Sequence, residues 1–432
     1  MSAPTTERVA YIVSKFPKLT ETFVLYEALA LRDLGVEIHI FPLVPYEEKV
    51  AHPEIESLQK NVHLVPLASG AVLGAVLRLA ALSPIRFARS VVSLFRGSGG
   101  SLGHFARGLA IFPRACWIAQ QLKTDRFDHV HAHFANHPAL AARLVHDLTS
   151  IPYSFTAHGS DLHRDPRGLR TKVEASSFTV AISEYNKRFI LERTGEDLAP
   201  KIDVLFCGAD LGRFQDEKAS AAADPAAPDA GTPDPRNESQ PARPFRIACV
   251  AALREVKGHT HLLAAIETAR SRGVDVECEL AGEGPLRARL EAEIQTRGLE
   301  HSVRLLGACQ REEIRALLQR SDAIALTSIL DSSGRREGIP VSLMEGMAAG
   351  LPVISSRLSG IPELVTHGES GLLVDPGDEE GLAQAIETLR ADPELRQRMG
   401  RAGRLRVEQD FDLAENAAAL ADKIRGAILA AR

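Results

Sequence analysis

Two α/β halves, each built on a parallel sheet, are what this 432-residue chain predicts. Three observations carry the prediction. Short apolar runs alternate with stretches of helical spacing along nearly the whole chain, the pattern of β-α-β units. The alternation breaks between Gln215 and Arg243, where Ala, Pro, Asp, Ser and Gly displace almost every large apolar residue. The chain on either side of that break is long enough for a core of its own. The natural architecture is two Rossmann-like domains, and clefts between such halves are common ligand sites.

The elements follow in order. Val9–Val13 is predicted as the first strand, Thr22–Leu34 as an amphipathic helix stopped by Gly35, and Val36–Leu43 as the second strand. Asp128–Phe134, Tyr153–Ala157 and Thr179–Ile182 are the next strands, each followed by helical spacing. After the break come Phe245–Val250, Val276–Ala281, Val303–Leu306, Ala323–Thr327 and Pro352–Ser355. The expected division is a first domain over 1–214, a linker or insertion over 215–243 and a second domain over 244–408. A final helix over 409–432 is expected to cross back to the first domain.

Composition excludes several classes. The net charge of −5 argues against a nucleic-acid interface. Five scattered cysteines with no C-x-x-C fit a reducing cytoplasm, each read as a small buried apolar residue. The apolar stretch after Val9 runs into Lys15, Pro17 and Lys18, so it reads as a buried strand rather than a leader. No apolar run reaches membrane-spanning length. Residues 70–120 differ from the rest: Leu, Val, Ala and Phe interleave with Arg78, Arg86, Arg89, Arg96, Arg107 and Arg114. An apolar face with arginine on the other side suits an anionic membrane surface. The competing reading is helices packed on the first domain with solvated arginines.

The segment from Gly334 to Gly350 carries the most chemistry. Pro340 suits a first helical position and Gly350 a left-handed stop. Glu337 then lies just before the helix, and Gly338, Ile339, Pro340 and Val341 form a start suited to phosphate. Glu345, two turns on, is placed to hydrogen-bond a ribose of the same ligand. A pocket for a sugar joined to a nucleoside diphosphate fits this pattern; a surface helix with solvated acids is the alternative. His129, His131 and His133 alternate on one strand and face one way. No carboxylate or cysteine nearby in sequence completes a metal site, and none is expected.

With these residues in view, the segment resembles the E-x7-E signature of family-four retaining glycosyltransferases, which have the GT-B fold. Matches in the expected order include Phe155-Thr-Ala-His-Gly-Ser-Asp161, Val256-Lys-Gly258, Ala281-Gly-Glu-Gly-Pro285 and Ser359-Gly-Ile-Pro-Glu-Leu364. The opening Ser14-Lys-Phe-Pro-Lys-Leu-Thr-Glu-Thr-Phe23 and His131-Ala-His-Phe134 are similar to enzymes of colanic-acid and amylovoran exopolysaccharide synthesis. The resemblance implies two Rossmann-like domains facing across a nucleotide-sugar cleft. It implies that Glu337 lies against the transferred sugar, Glu345 binds ribose hydroxyls, Lys257 meets the diphosphate and His158 contacts the sugar near the reacting carbon. The family carries an arginine five residues before the lysine; here that position is Ala252, and Arg254 is expected to take over the contact. Gly282 and Gly284 read as a close backbone approach beside the nucleotide rather than a dinucleotide fingerprint, because Arg287 fills the third glycine position. The first loop, with Phe16, Lys18, Thr20 and Glu21, is expected on the acceptor side, with Thr20 or Thr22 capping the next helix. Ser183 and Gly208-Ala-Asp210 look like domain-edge elements, or alternatively a helix cap and a turn.

The implied activity is sugar transfer from a UDP- or GDP-sugar to a hydroxyl of a lipid-linked oligosaccharide, retaining the anomeric configuration. Neither a metal nor another cofactor is implied. The implied location is the cytoplasm, peripheral on the inner membrane. A nucleotide-sugar epimerase on the same frame, or a catalytically silent assembly partner, are the other readings.

Overall fold

Strands with buried residues on both faces force helices onto both sides of a parallel sheet, and this happens twice. The computed structural model describes residues 6–18, 21–45, 53–64, 69–97, 101–164, 166–214, 243–332 and 334–432. Thr20 and nearly all of the predicted 215–243 linker lie outside the described residues. The chain divides into two units: Met1–Gly208 with Ser332–Ile339 and Leu413–Arg432, and Ala209–Asp331 with Pro340–Asp412.

In the first unit the strands are β1 (Arg8–Val13), β2 (Glu37–Pro42), β3 (His129–His133), β4 (Tyr153–Ala157), β5 (Phe178–Ala181) and β6 (Ile202–Val204). They form one sheet in the order β2-β1-β3-β4-β5-β6, parallel throughout. The order reverses at β1, which leaves a crevice beyond the carboxyl ends of β1 and β3. The helices are α1 (Thr22–Asp33), α2 (Gly70–Leu82), α3 (Pro84–Gly97), α4 (Leu102–Thr124), α5 (His137–Thr149), α6 (Ser160–Arg164), α7 (Leu169–Ala175) and α8 (Glu184–Thr194). One face of the sheet packs Ile12, Val130, Ala132 and Phe155 against α4 and α5. The other packs Val9, Tyr11, Ile38 and Val180 against α1 and the last helix of the chain.

In the second unit the strands are β7 (Phe245–Val250), β8 (Val276–Ala281), β9 (Val303–Gly307), β10 (Ala323–Leu326), β11 (Val353–Ser356) and β12 (Gly371–Val374). Their order is β12-β11-β10-β7-β8-β9, also parallel, with the reversal between β7 and β10. The helices are α9 (His259–Ser271), α10 (Arg287–Thr296), α11 (Arg311–Gln319), α12 (Val341–Ala348), α13 (Ile361–Leu364), α14 (Glu379–Ala391) and α15 (Pro393–Asp410). The last helix, α16 (Leu413–Ala431), belongs to the first unit and lies along α1. Lys423 pairs with Asp203 at 2.9 Å and Arg425 with Glu7 at 3.5 Å, both within that unit.

Tyr153–Ala157, Phe245–Val250 and Val276–Ala281 stand where the sequence predicts them. β6 and β12 were not predicted. Two helix starts also need correction. Glu21, not Thr22, occupies the N-cap of α1, and it makes no side-chain capping bond. Pro340 is the N-cap of α12 rather than its first helical residue, with ψ of 123°. Gly350 is left-handed at φ 80°, as a helix stop requires. Ser183 caps α8 by accepting from Asn186 N at 3.0 Å.

Helices α2 and α3 meet at 114°, and among the described residues no single helix is long and apolar enough to cross a membrane. Arginine does not lie opposite the apolar face as expected. α2 buries Val72, Ala75 and Leu79 but exposes Leu73 and Leu77 beside Arg78. Leu82, Ile85, Val92, Phe95 and Leu102 extend the exposed apolar set, among exposed Arg86, Arg89, Arg96 and Arg107.

Candidate active site

In the first unit the chemistry gathers beyond the carboxyl ends of β3 and β4. His158 follows β4 directly and is 8% exposed. Its Nε2 lies 3.0 Å from His133 Nδ1, and its Nδ1 lies 3.9 Å from Cys207 Sγ. Phe23 and Phe134 cover the ring at centroid distances of 4.5 and 4.8 Å. Phe134 itself takes φ 79°, an unfavourable conformation for a bulky residue, at the end of β3. Burial, and then the neighbouring His133, hold the His158 pKa well below its usual value, so the ring is neutral.

Asp161, the last residue of the His-Gly-Ser-Asp motif, is a staple. Its carboxylate accepts from the Ala135 N–H and from the His158 N–H at 3.1 Å, tying the loop after β3 to the loop after β4. Burial raises its pKa, and those backbone donors oppose the rise.

The Glu337 segment reaches this place through its backbone. A Cβ on Gly338 would sit 2.8 Å from the His158 carbonyl oxygen, and one on Gly159 would sit 3.5 Å from Gly338 Cα. A Cβ on Gly338 would collide with that carbonyl and Gly159 is held at φ 111°, so glycine suits both positions, and Glu337 is the neighbour of the residue that meets the His158–Gly159 turn. Ile339 is buried in the same unit, and Glu337 is half-buried. Arg336 donates to the Tyr185 hydroxyl from α8. Asn186, fully buried, brings its amide within 3.7 Å of a Cβ built on Gly159.

The acceptor-side expectation for the first loop needs one correction. Phe16 is 4% exposed and packs into the core with Val13 and Val24, because an apolar ring gains more beneath α1 than in water. Lys18 and Glu21 pair with each other across one turn.

The second unit holds the other predicted residues at the reversal of its sheet. Lys257 ends a single 3-10 turn after β7, with Arg254 as its N-cap and left-handed Gly258 as its C-cap. The loop after β10 clamps that turn. Thr327 Oγ1 donates to the Gly258 carbonyl at 2.8 Å, and Ile329 N donates to the Val256 carbonyl at 3.0 Å. A Cβ on Gly258 would fall 1.9 Å from the Thr327 carbonyl oxygen. The Arg254 side chain is exposed, and Ala252 serves through its backbone, accepting from His259 Nε2 at 3.2 Å.

Gly282 and Gly284 bring two loops together. Added Cβ atoms would lie 2.0 Å from the Ala251 carbonyl oxygen and 2.4 Å from that of Leu253. This loop-to-loop approach accounts for both glycines without a ligand. Helix α12 starts after Pro340 with no side-chain cap and packs Gly346 onto Ile324 of β10. Glu345, on α12, lines a small depression with Asp210, Phe214, Arg311, Ile314 and Arg315. Asp210 and Arg311 form an ion pair there at 2.8 Å.

Sequence reasoning missed the carboxylate beside the histidine row. Glu27 of α1 stands 3.2 Å from His133 Nε2 and accepts from the Tyr11 hydroxyl at 2.7 Å. Ligand atoms of Glu27, His131 and His133 lie within 4.8 Å of one another. Both His131 nitrogens, however, meet hydroxyls: Ser154 Oγ at 2.8 Å and Thr156 Oγ1 at 3.0 Å. Nothing in local sequence marks Glu27 as their neighbour; only the packing of α1 on β3 does.

Residues 20–213 match the model of Glycosyltransferase Family 4, and residues 232–406 match that of Glycosyl transferases group 1. The putative colanic acid biosynthesis glycosyltransferase WcaL of Salmonella typhimurium is 29% identical, over 94% of this chain and 96% of its own. The amylovoran biosynthesis glycosyltransferase AmsK of Erwinia amylovora is 28% identical over the same shares. Among solved structures, Anabaena HepE in complex with UDP superposes with a TM-score of 0.70 at 17% identity, covering 98% of this chain and all of that one. Sucrose-phosphate synthase of Thermosynechococcus elongatus gives 0.70 at 18% identity with the same coverage. Two parallel six-stranded sheets in this arrangement are the GT-B fold. With a family 4 domain followed by a group 1 domain, the chain belongs to the glycosyltransferases and is related to those of exopolysaccharide biosynthesis.

Proposed function

We propose that this glycosyltransferase moves a hexose from a UDP- or GDP-sugar to a hydroxyl of a lipid-linked oligosaccharide, with retention of anomeric configuration. The observation that carries the reading is the side-chain-free approach of Gly338 to the His158 carbonyl, which fixes Glu337 beside the His158–Gly159 turn. Each unit takes its own share. In the first, Glu337 steadies the sugar and the positive charge that grows at its reacting carbon. His158 is a fixed wall of the sugar subsite rather than a proton carrier, since both ring nitrogens face internal partners. In the second, Lys257 and Arg254 offset charge on the departing diphosphate, the start of α12 adds its dipole, and Glu345 accepts from the ribose hydroxyls. The departing phosphate takes the acceptor's proton on the same face. Trapping a glycosyl adduct on Glu337 would replace this scheme with a double displacement.

The exposed apolar residues and arginines of α2 to α4 support a peripheral site on the cytoplasmic face of an anionic inner membrane, where a lipid-linked acceptor is found. The deciding experiment is nucleotide release from a panel of UDP-, GDP- and ADP-sugars with membrane lipid extract as acceptor source. Release from one donor, dependent on lipid, is expected. Conversion of free donor to its epimer without an acceptor would favour an epimerase, and no release from folded protein would favour a silent partner.

A further inference from the structure

The first unit contains a buried line of polar groups that ends on His158 and to which the scheme above gives no role. It begins at Tyr11 on β1, whose hydroxyl donates to Glu27 Oε1 at 2.7 Å. The same oxygen lies 3.2 Å from His133 Nε2, a buried nitrogen with no well-angled hydrogen bond. His133 Nδ1 lies 3.0 Å from His158 Nε2, and the two rings stack at 25°. Cys207 closes the line at His158 Nδ1.

With a single proton on the His133 ring, donors and acceptors fit this line in one direction. A carboxylate can only accept, so the His133 proton belongs on Nε2, facing Glu27. That leaves His133 Nδ1 as an acceptor and requires the His158 proton on Nε2. His158 Nδ1 is then a bare acceptor, matched by the Cys207 thiol, whose pKa is raised by burial so that it keeps its proton. The reverse assignment would point the lone pair of His133 Nε2 at a carboxylate oxygen in a buried setting, which is costly.

We propose that Glu27, acting through His133, is a positioning residue that fixes the Nε2–H tautomer and the ring plane of His158, and that turnover depends on it. This rests on the reading of His158 as a wall of the sugar subsite. Partners of this kind behind a functional imidazole contribute about 10–100-fold where they have been removed at metal sites. The same logic applies to a ring whose backbone carbonyl and edge must hold their place against Gly338. Tyr11 holds the carboxylate, and Phe23 and Phe134 hold the ring from the outside. Burial holds the His158 and His131 pKa values well below the usual range, so these two rings stay neutral and act through geometry rather than charge.

The test is Glu27→Gln, whose amide can donate to His133 and reverse the line, read by imidazole ¹⁵N chemical shifts and by nucleotide release. Glu27→Asp, which keeps a carboxylate, and His158→Ala are run beside it. The expected result is a His158 resonance pattern of Nε2–H in the native protein that changes in Glu27→Gln. With it, kcat falls about 10–100-fold, donor KM stays within about twofold, and Glu27→Asp restores part of the loss. An unchanged tautomer and unchanged kcat in Glu27→Gln, alongside lost turnover in His158→Ala, would overturn the proposal and leave the reading of His158 intact. A changed tautomer with normal turnover in both Glu27→Gln and His158→Ala would overturn that reading, and the catalytic half of this proposal with it. Stoichiometric zinc in the native protein that is lost in Glu27→Gln would make Glu27, His131 and His133 a metal site instead.

Discussion

The two sheets share a parallel build, yet they hold their functional residues by different means. In the first unit, His129, His131, His133, Ser154, Thr156 and His158 are buried polar side chains joined to one another. In the second, the comparable loops are joined main chain to main chain, through Gly258 on Thr327, Gly282 on Ala251 and Gly284 on Leu253. A network of buried imidazoles is directional and sensitive to protons. A set of glycine-permitted backbone contacts is insensitive to protons and intolerant of any side chain. The difference predicts where each unit breaks.

The largest effect separates chemistry from donor binding. Glu337→Ala should lower kcat by ~10³-fold with donor KM little changed, the mark of a contact made in the transition state. Glu345→Ala should instead raise donor KM about tenfold with kcat within a few-fold. Steady-state kinetics on both variants checks the assignment, and the opposite pattern would exchange their roles.

Acid comes next. Burial holds His129 near 3 and His163 near 4 in the first unit, with His131 and His158 also well below the usual value. In the second unit, His259 is held near 4, again chiefly by burial. The unfolded chain takes up these protons near pH 6.5, while the folded one refuses them until far lower pH. The stabilisation is therefore complete above about 6.5 and drains as pH falls toward 4, by ~1.4 kcal/mol per pH unit for a group like His129. Hydrogen exchange at pH 7 and pH 5 should show β3 and β4 losing protection before β7 and β10. Equal loss in both units would contradict the contrast.

The smallest of the three effects is local. Gly258→Ala should destabilise the second unit by ~2–4 kcal/mol, since φ is left-handed and the new Cβ would meet the Thr327 carbonyl. Thermal unfolding followed in that unit measures it, and a stability change below ~0.5 kcal/mol would show that the β10 loop yields.

Most strands were legible because each is a short apolar run bounded by turn residues, as in Tyr153–Ala157 and Phe245–Val250. β6, three residues long, gives no periodic signal, and β12 is the brief stretch Gly371–Val374, which reads equally as a turn. By sequence Phe16 groups with its loop on the acceptor side, whereas the fold turns the ring inward. The Glu337–Gly350 segment was legible as a loop, helix and stop, since Pro340 and Gly350 act through their own backbone angles.

Sequence alone determined what depends on near neighbours: most of the strand and helix order, the helix stop at Gly350, and the presence of Glu337 and Glu345 about one helix. Tertiary structure decided what depends on residues far apart in the chain. It set Glu27 against His133 across 106 positions, Gly338 against His158 across 180, and Thr327 against Gly258 across 69. Local preferences act over a few residues, and no periodicity records which turn of α1 will rest on which residue of β3. That pairing is fixed only when the sheet order and the packed core bring the two together.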